Sequence, residues 1–77
     1  MNHVDQRLDA SGLVCPEPLM LVRNAVREMR SGDVLYVLAT DPSTERDLKN
    51  FCRFLGHEML SHEVQGATHH FRLRKGG

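Results

Sequence analysis

The chain has 77 residues, ten of them Lys or Arg and ten Asp or Glu, so its formal net charge is zero with its five histidines neutral. One small domain of this length buries about 60% of its unfolded surface and has no room for a second core. Balanced charge excludes a protein whose main work is gripping nucleic acid, which needs a basic surplus, and no apolar run approaches the ~18 residues of a membrane span.

The N-terminal stretch from Met1 to Arg7 lacks the apolar core of a signal peptide. The expected setting is therefore the cytoplasm, where thiols stay reduced. Gln6 to Asp9 reads as a short, weak strand, closed by Ala10-Ser11-Gly12. Apolar Leu19, Val22, Val26 and Met29 then recur at helical spacing, which predicts a helix that stops near Arg30 at Ser31-Gly32-Asp33. Val34 to Ala39 is an unbroken β-favouring run, expected as a central strand buried on both faces or nearly so. Asp41-Pro42 or Thr44 caps a second helix with an apolar stripe of Leu48, Phe51, Cys52 and Leu55, and Gly56 ends it. Met59 to Val64 and Thr68 to Arg74 read as a hairpin about Gln65-Gly66-Ala67. The order is βαβαββ in a single domain, 1–77. Right-handed crossovers place both helices on one face of a four-stranded mixed sheet, an α/β chain of the α+β two-layer sandwich type.

The segment Cys15-Pro16-Glu17-Pro18 breaks a local rule. Proline suits the first helical position, where its missing N–H is no loss, so Pro16 there places Cys15 at the N-cap. Cysteine is a poor cap compared with Ser, Thr, Asp or Asn, and rule-breaking positions are candidate functional sites. A helix N-terminus favours thiolate over thiol, so the expectation is a lowered pKa. The amides of Glu17, Leu19 and Met20 stand near the sulfur, and the two prolines stiffen its support. Pro18 disfavours helical geometry at Glu17, so regular helix is expected from Pro18 onward. The plainer reading makes Cys15 a small packed residue under a helix end.

Cys52 falls on the apolar stripe of the second helix, outside any C-x-x-C spacing, and reads as core, with an auxiliary thiol the lesser reading. His57, His62, His69 and His70 crowd the C-terminal half, yet they form no recognised ligand spacing, and neighbours His69 and His70 point to opposite faces of a strand. No metal and no cofactor are expected. Arg23, Arg27 and Arg30 form a basic stripe on the first helix, and Arg72 and Arg74 form another on the last strand. Such runs are usually solvated surface; the sharper reading makes Arg23 and Arg27 a docking face for an acidic partner.

Leu8-Asp9-Ala10-Ser11-Gly12-Leu13-Val14-Cys15-Pro16-Glu17-Pro18 resembles the signature of the TusA (SirA-like) sulfur-carrier family. The resemblance extends through Thr40-Asp41-Pro42, Asp47, Phe51-Cys52 and His57-Glu58 to the ending Arg74-Lys75-Gly76-Gly77. It implies a two-layer sandwich that carries sulfur as a persulfide on Cys15. It further implies a cysteine desulfurase as donor and downstream relay proteins as acceptors. In such a relay the end product is 2-thiouridine in tRNA, or, in other branches, molybdenum cofactor or oxidised sulfur. The residues themselves suit a carrier more than a stand-alone catalyst, because no second acid/base pair, phosphate loop or small-molecule pocket is evident. Direct contact with nucleic acid is not expected. Two other readings remain: a thiol-based redox-sensing or regulatory module on Cys15, and a thiocarboxylate tail at Gly76-Gly77.

Overall fold

The computed structural model describes residues 4–76. Its elements run β1 (Gln6–Ala10), α1 (Glu17–Arg27), β2 (Val34–Ala39), α2 (Ser43–Leu55), β3 (Glu58–Gln65) and β4 (Thr68–Arg74). The sheet order is β1-β2-β4-β3. β2 pairs in parallel with β1, from Gln6↔Leu35 to Ala10↔Ala39. On its other side β2 pairs antiparallel with β4, which in turn pairs antiparallel with β3. Two antiparallel steps make β3 parallel to β2, so the crossover through α2 skips one strand position. The hairpin return of β4 fills it. The result is the expected βαβαββ sandwich, with both helices on one face of a four-stranded mixed sheet.

Strand alternation decides what each face meets. Leu35, Val37 and Ala39 of β2 and Phe71 and Leu73 of β4 turn toward the helices, where Val22, Val26 and Met29 meet Leu48, Phe51 and Cys52. The other face carries Tyr36 and Leu38, opposite Arg72 and His70 in the ladder. β2 is thus buried on one face and only part-covered on the other, less than its apolar run suggests. Cations cover part of this open face: the guanidinium groups of Arg7 and Arg72 each lie 5.2 Å from the Tyr36 ring centroid. Tyr36 Oη and His70 Nδ1 share a hydrogen bond of 2.6 Å. Aliphatic stems and cation–π contact let charged residues shield apolar strand surface.

Element ends depart from the sequence reading in small ways. α1 stops at Arg27, because the amides of Glu28 and Met29 turn back to Ala25 and Val26 oxygens in tightened three-residue steps. Met29 stays buried beyond the helix. α2 begins at Ser43 behind Pro42, and Thr44 is a buried side chain rather than the cap. Leu55, expected in the core stripe, is 60% exposed. Gly56 does end α2, in the left-handed region at φ 75°, which only glycine enters freely. Close to it passes Gly76, where a Cβ would run into the Gly56 carbonyl. Gly76 N–H donates to His57 Nδ1 (3.0 Å) and its carbonyl accepts from Ser31 Oγ (3.3 Å). The chain end is tied down as far as Gly76, unlike a free carrier tail; Gly77 lies outside the described residues.

Candidate functional site around Cys15

Parallel pairing of β1 and β2 brings their C-terminal ends together, so the loops after Ala10 and Ala39 meet at one edge of the sandwich. Such a crevice beyond the carboxyl ends of parallel strands is a usual place for a site. Cys15 lies in the first loop, exposed and outside any disulfide. Its N–H donates to Asp41 Oδ2 at 2.8 Å, and its Sγ donates to Asp47 Oδ2 at 3.3 Å. Asp41 is shared between loops, since Oδ1 also accepts Ser43 N–H at 3.0 Å and Ser43 Oγ at 2.9 Å. Gly12 N–H adds a further tie to Thr40 Oγ1 at 2.9 Å. These bonds hold the Cys15 loop to the start of α2.

Several sequence expectations are corrected here, among them the start of regular helix, which is Glu17 and not Pro18. Pro16, not Cys15, is the N-cap of α1; Glu17 is the first helical residue and Cys15 sits one position outside. The Cys15–Pro16 peptide is cis. Two of the three amides expected beside the sulfur are engaged elsewhere, Glu17 N–H with the Val14 carbonyl (2.9 Å) and Met20 N–H with the Pro16 carbonyl (3.1 Å). The pKa expectation also reverses. The Asp47 carboxylate that accepts the thiol proton pushes Cys15 above the ordinary cysteine value, helped by desolvation, while a hydrogen bond from Ser43 acts the other way and outweighs the small push of the Asp41 charge. Asp41 is itself held below the usual carboxylate range, chiefly by the Cys15 N–H and then by Ser43.

Pro18, the second helical residue, is fully buried and anchors the motif to the core, while Glu17 is exposed. Cys52 is 3% exposed in the core, and burial raises its pKa to about 11. Arg23 and Arg27 are exposed on α1, but they do not simply face solvent: with Phe51, Leu55, His57 and Lys75 they border a groove of about 260 Å³ between the helices. Cys15 is not part of its lining. The stripe on β4 is absorbed by the fold, Arg72 against Tyr36 and Arg74 in an ion pair with Glu58. Asp47 and Asp41 are the residues whose role sequence reasoning missed. The available signal was topological: parallel β1 and β2 require the loops that follow them to meet.

Residues 6–75 match the family model described as Sulfurtransferase TusA. The chain belongs to this family. TusA-family membership carries a sulfur-carrier role and work within a relay of partner proteins. The fold is also that of a solved SirA-like protein from Desulfitobacterium hafniense, with a TM-score of 0.81 at 23% identity, covering 94% of this chain and 99% of that one. In this TusA-family chain no helix among the described residues is long and apolar enough to cross a membrane.

Proposed function

We propose that this protein accepts sulfane sulfur on Cys15 from a cysteine desulfurase and passes it to downstream relay proteins, with 2-thiouridine formation in tRNA as the pathway served. The observation that carries this reading is the exposed Cys15 thiol, donated to Asp47 at 3.3 Å in a loop tied down by Asp41. Loading is an exchange at sulfur. Cys15 Sγ, having given up its proton, attacks the outer sulfur of the donor persulfide. A new S–S bond forms to Cys15, the donor S–S bond breaks, and the donor cysteine leaves as thiolate. Unloading repeats the step with an acceptor thiolate attacking the outer sulfur, which releases Cys15. No net oxidation occurs in either transfer.

Asp47 and Asp41 give the resting carrier a definite character. Their charge favours the thiol over the thiolate at Cys15, which slows stray alkylation and oxidation. A cationic group of a docked donor that neutralises Asp47 releases the thiolate where a persulfide is waiting. Asp47 beside the thiol disfavours unassisted oxidation of Cys15, which favours a carrier loaded by a docked donor over a redox sensor. Glu17 and the stiff Pro16 and Pro18 present the loop, while Arg23 and Arg27 serve as the docking face. A carrier whose thiol must stay reduced belongs in the cytoplasm.

The test is mass spectrometry of the protein after incubation with a cysteine desulfurase and free cysteine. The expected product is one added sulfur on Cys15, absent from a folded Cys15→Ser variant. Loading that persists in Cys15→Ser, or oxidation products alone on Cys15, sinks the proposal.

A further inference from the structure

Strand register brings together three side chains that no spacing in the sequence groups. In the β3–β4 hairpin Val64 stands opposite His69 and His62 opposite Phe71, so His62 and His69 are diagonal neighbours on the helix-facing side. Their rings are nearly parallel, 7° apart, with centroids at 5.1 Å, and His62 Nε2 lies 2.9 Å from His69 Nδ1. Phe71 fixes the orientation of the pair: its ring stacks with His62 at 4.6 Å. Over the hairpin sits the first turn of α2, where Glu45 Oε2 is 3.6 Å from His62 Nδ1. The His62 side chain is only 15% exposed. One donor atom from each of Glu45, His62 and His69 lies within 4.8 Å of the others.

We propose that Glu45, His62 and His69 bind one divalent transition ion of the zinc class, with water in the remaining position. Two imidazoles and a carboxylate are an established donor set for such ions, and they leave a fourth position open. Ligands at 2.0–2.2 Å in a tetrahedron stand about 3.3 Å apart, so closing the set needs only side-chain adjustment, mostly of the part-exposed Glu45. An ion takes the place of the proton shared between the two rings. Among the described residues the opposing group is Lys49, whose Nζ donates to Glu45 Oε2 at 2.6 Å. Lys49 pairs with Glu45 on the surface of α2 and so competes with an ion for the same oxygen. A bound ion clasps the start of α2 to the β3–β4 hairpin, two elements that are otherwise joined through the core. This site is separate from the sulfur-carrying thiol and stands or falls independently of it.

The experiment is a titration of the chelator-treated, tag-free full chain with Co2+, read by visible absorption, followed by displacement with Zn2+. It is run in a Cys15→Ser background so that the exposed thiol takes no ion. The expected result is one equivalent bound. His62→Gln and His69→Gln should each weaken binding by at least the 10–100-fold that loss of a supporting group causes, while His57→Gln and His70→Gln leave it unchanged. Lys49→Met should tighten it by removing the competing cation. Because the two ring variants alter a packed cluster, histidine proton resonances of the unsubstituted chain supply a second reading: those of His62 and His69 should move on adding Zn2+. Absence of saturable binding, or binding that survives both His62→Gln and His69→Gln in folded protein, overturns the site, as do zinc shifts confined to His57 and His70.

Discussion

Two opposing local effects act on the Cys15 sulfur, the end of α1 behind it and the carboxylates in front. A helix N-terminus offers about half an elementary charge that fades within one turn, and Cys15 stands one residue outside the cap. Asp47 presents a full charge at hydrogen-bond distance. The nearer and larger charge wins, so alkylation of Cys15 titrated against pH should show a midpoint above the ordinary cysteine value. Asp47→Asn should move that midpoint down and speed alkylation at neutral pH; an unmoved midpoint would show that the helix end, not Asp47, governs the thiol. Cys52 supplies the contrast. Its folded pKa of about 11 lies above the reference 9.0, so the folded state holds this proton more tightly. That contribution is complete below about pH 9 and disappears as pH rises toward 11. Cys52→Ala should therefore lower stability by about 1 kcal/mol through lost packing, remove this part of the alkaline destabilisation, and leave sulfur loading intact. Denaturant midpoints at neutral and alkaline pH check it.

Among the elements, what was legible in the sequence was whatever depends on near neighbours. The run Val34 to Ala39 and the stripe Leu48, Phe51, Cys52 carry their own periodicity, and both elements lie where that periodicity puts them. Gly56 was legible as the stop of α2 because a left-handed C-cap has few other occupants. Gly56→Ala should accordingly destabilise by about 1 kcal/mol, the usual cost of forcing a side chain into that region, seen as a lower melting temperature with the fold retained. Less legible were features set by partners far away in sequence. Leu55 follows the stripe yet is exposed, because α2 runs past the core before Gly56. Asp47 reaches Cys15 across 32 positions, and His62 meets His69 only through hairpin register. Cys15 stands one residue further from the helix than its sequence suggests, for a local reason: two prolines in one turn leave the first regular helical residue to be settled by where the Val14 and Pro16 carbonyls find donors.

At the scale of the whole molecule, a carrier this small has to be gripped by donor and acceptor in turn, and each must reach the same sulfur. The groove between α1 and α2 offers charge and apolar surface together. Arg23, Arg27 and Lys75 border it with Phe51 and Leu55. His57 is a weaker contributor, because burial and then Lys75 lower its pKa from 6.5 and disfavour its charged form. The groove's basic side chains are therefore Arg23, Arg27 and Lys75, and two of them are on α1. Single exposed pairs are worth roughly 0.2–1 kcal/mol, too little to dominate affinity, but their summed field steers encounter and is screened by salt. Reversing both arginines, Arg23→Glu with Arg27→Glu, should slow sulfur transfer from a cysteine desulfurase, with the deficit largest at low ionic strength and shrinking as salt rises. The rate at which a small alkylating agent modifies Cys15 should stay that of the parent, since neither arginine touches the sulfur. Transfer rates equal to the parent's at every salt concentration would remove this face as the docking surface, and a parallel loss of alkylation rate would place the effect at the thiol instead.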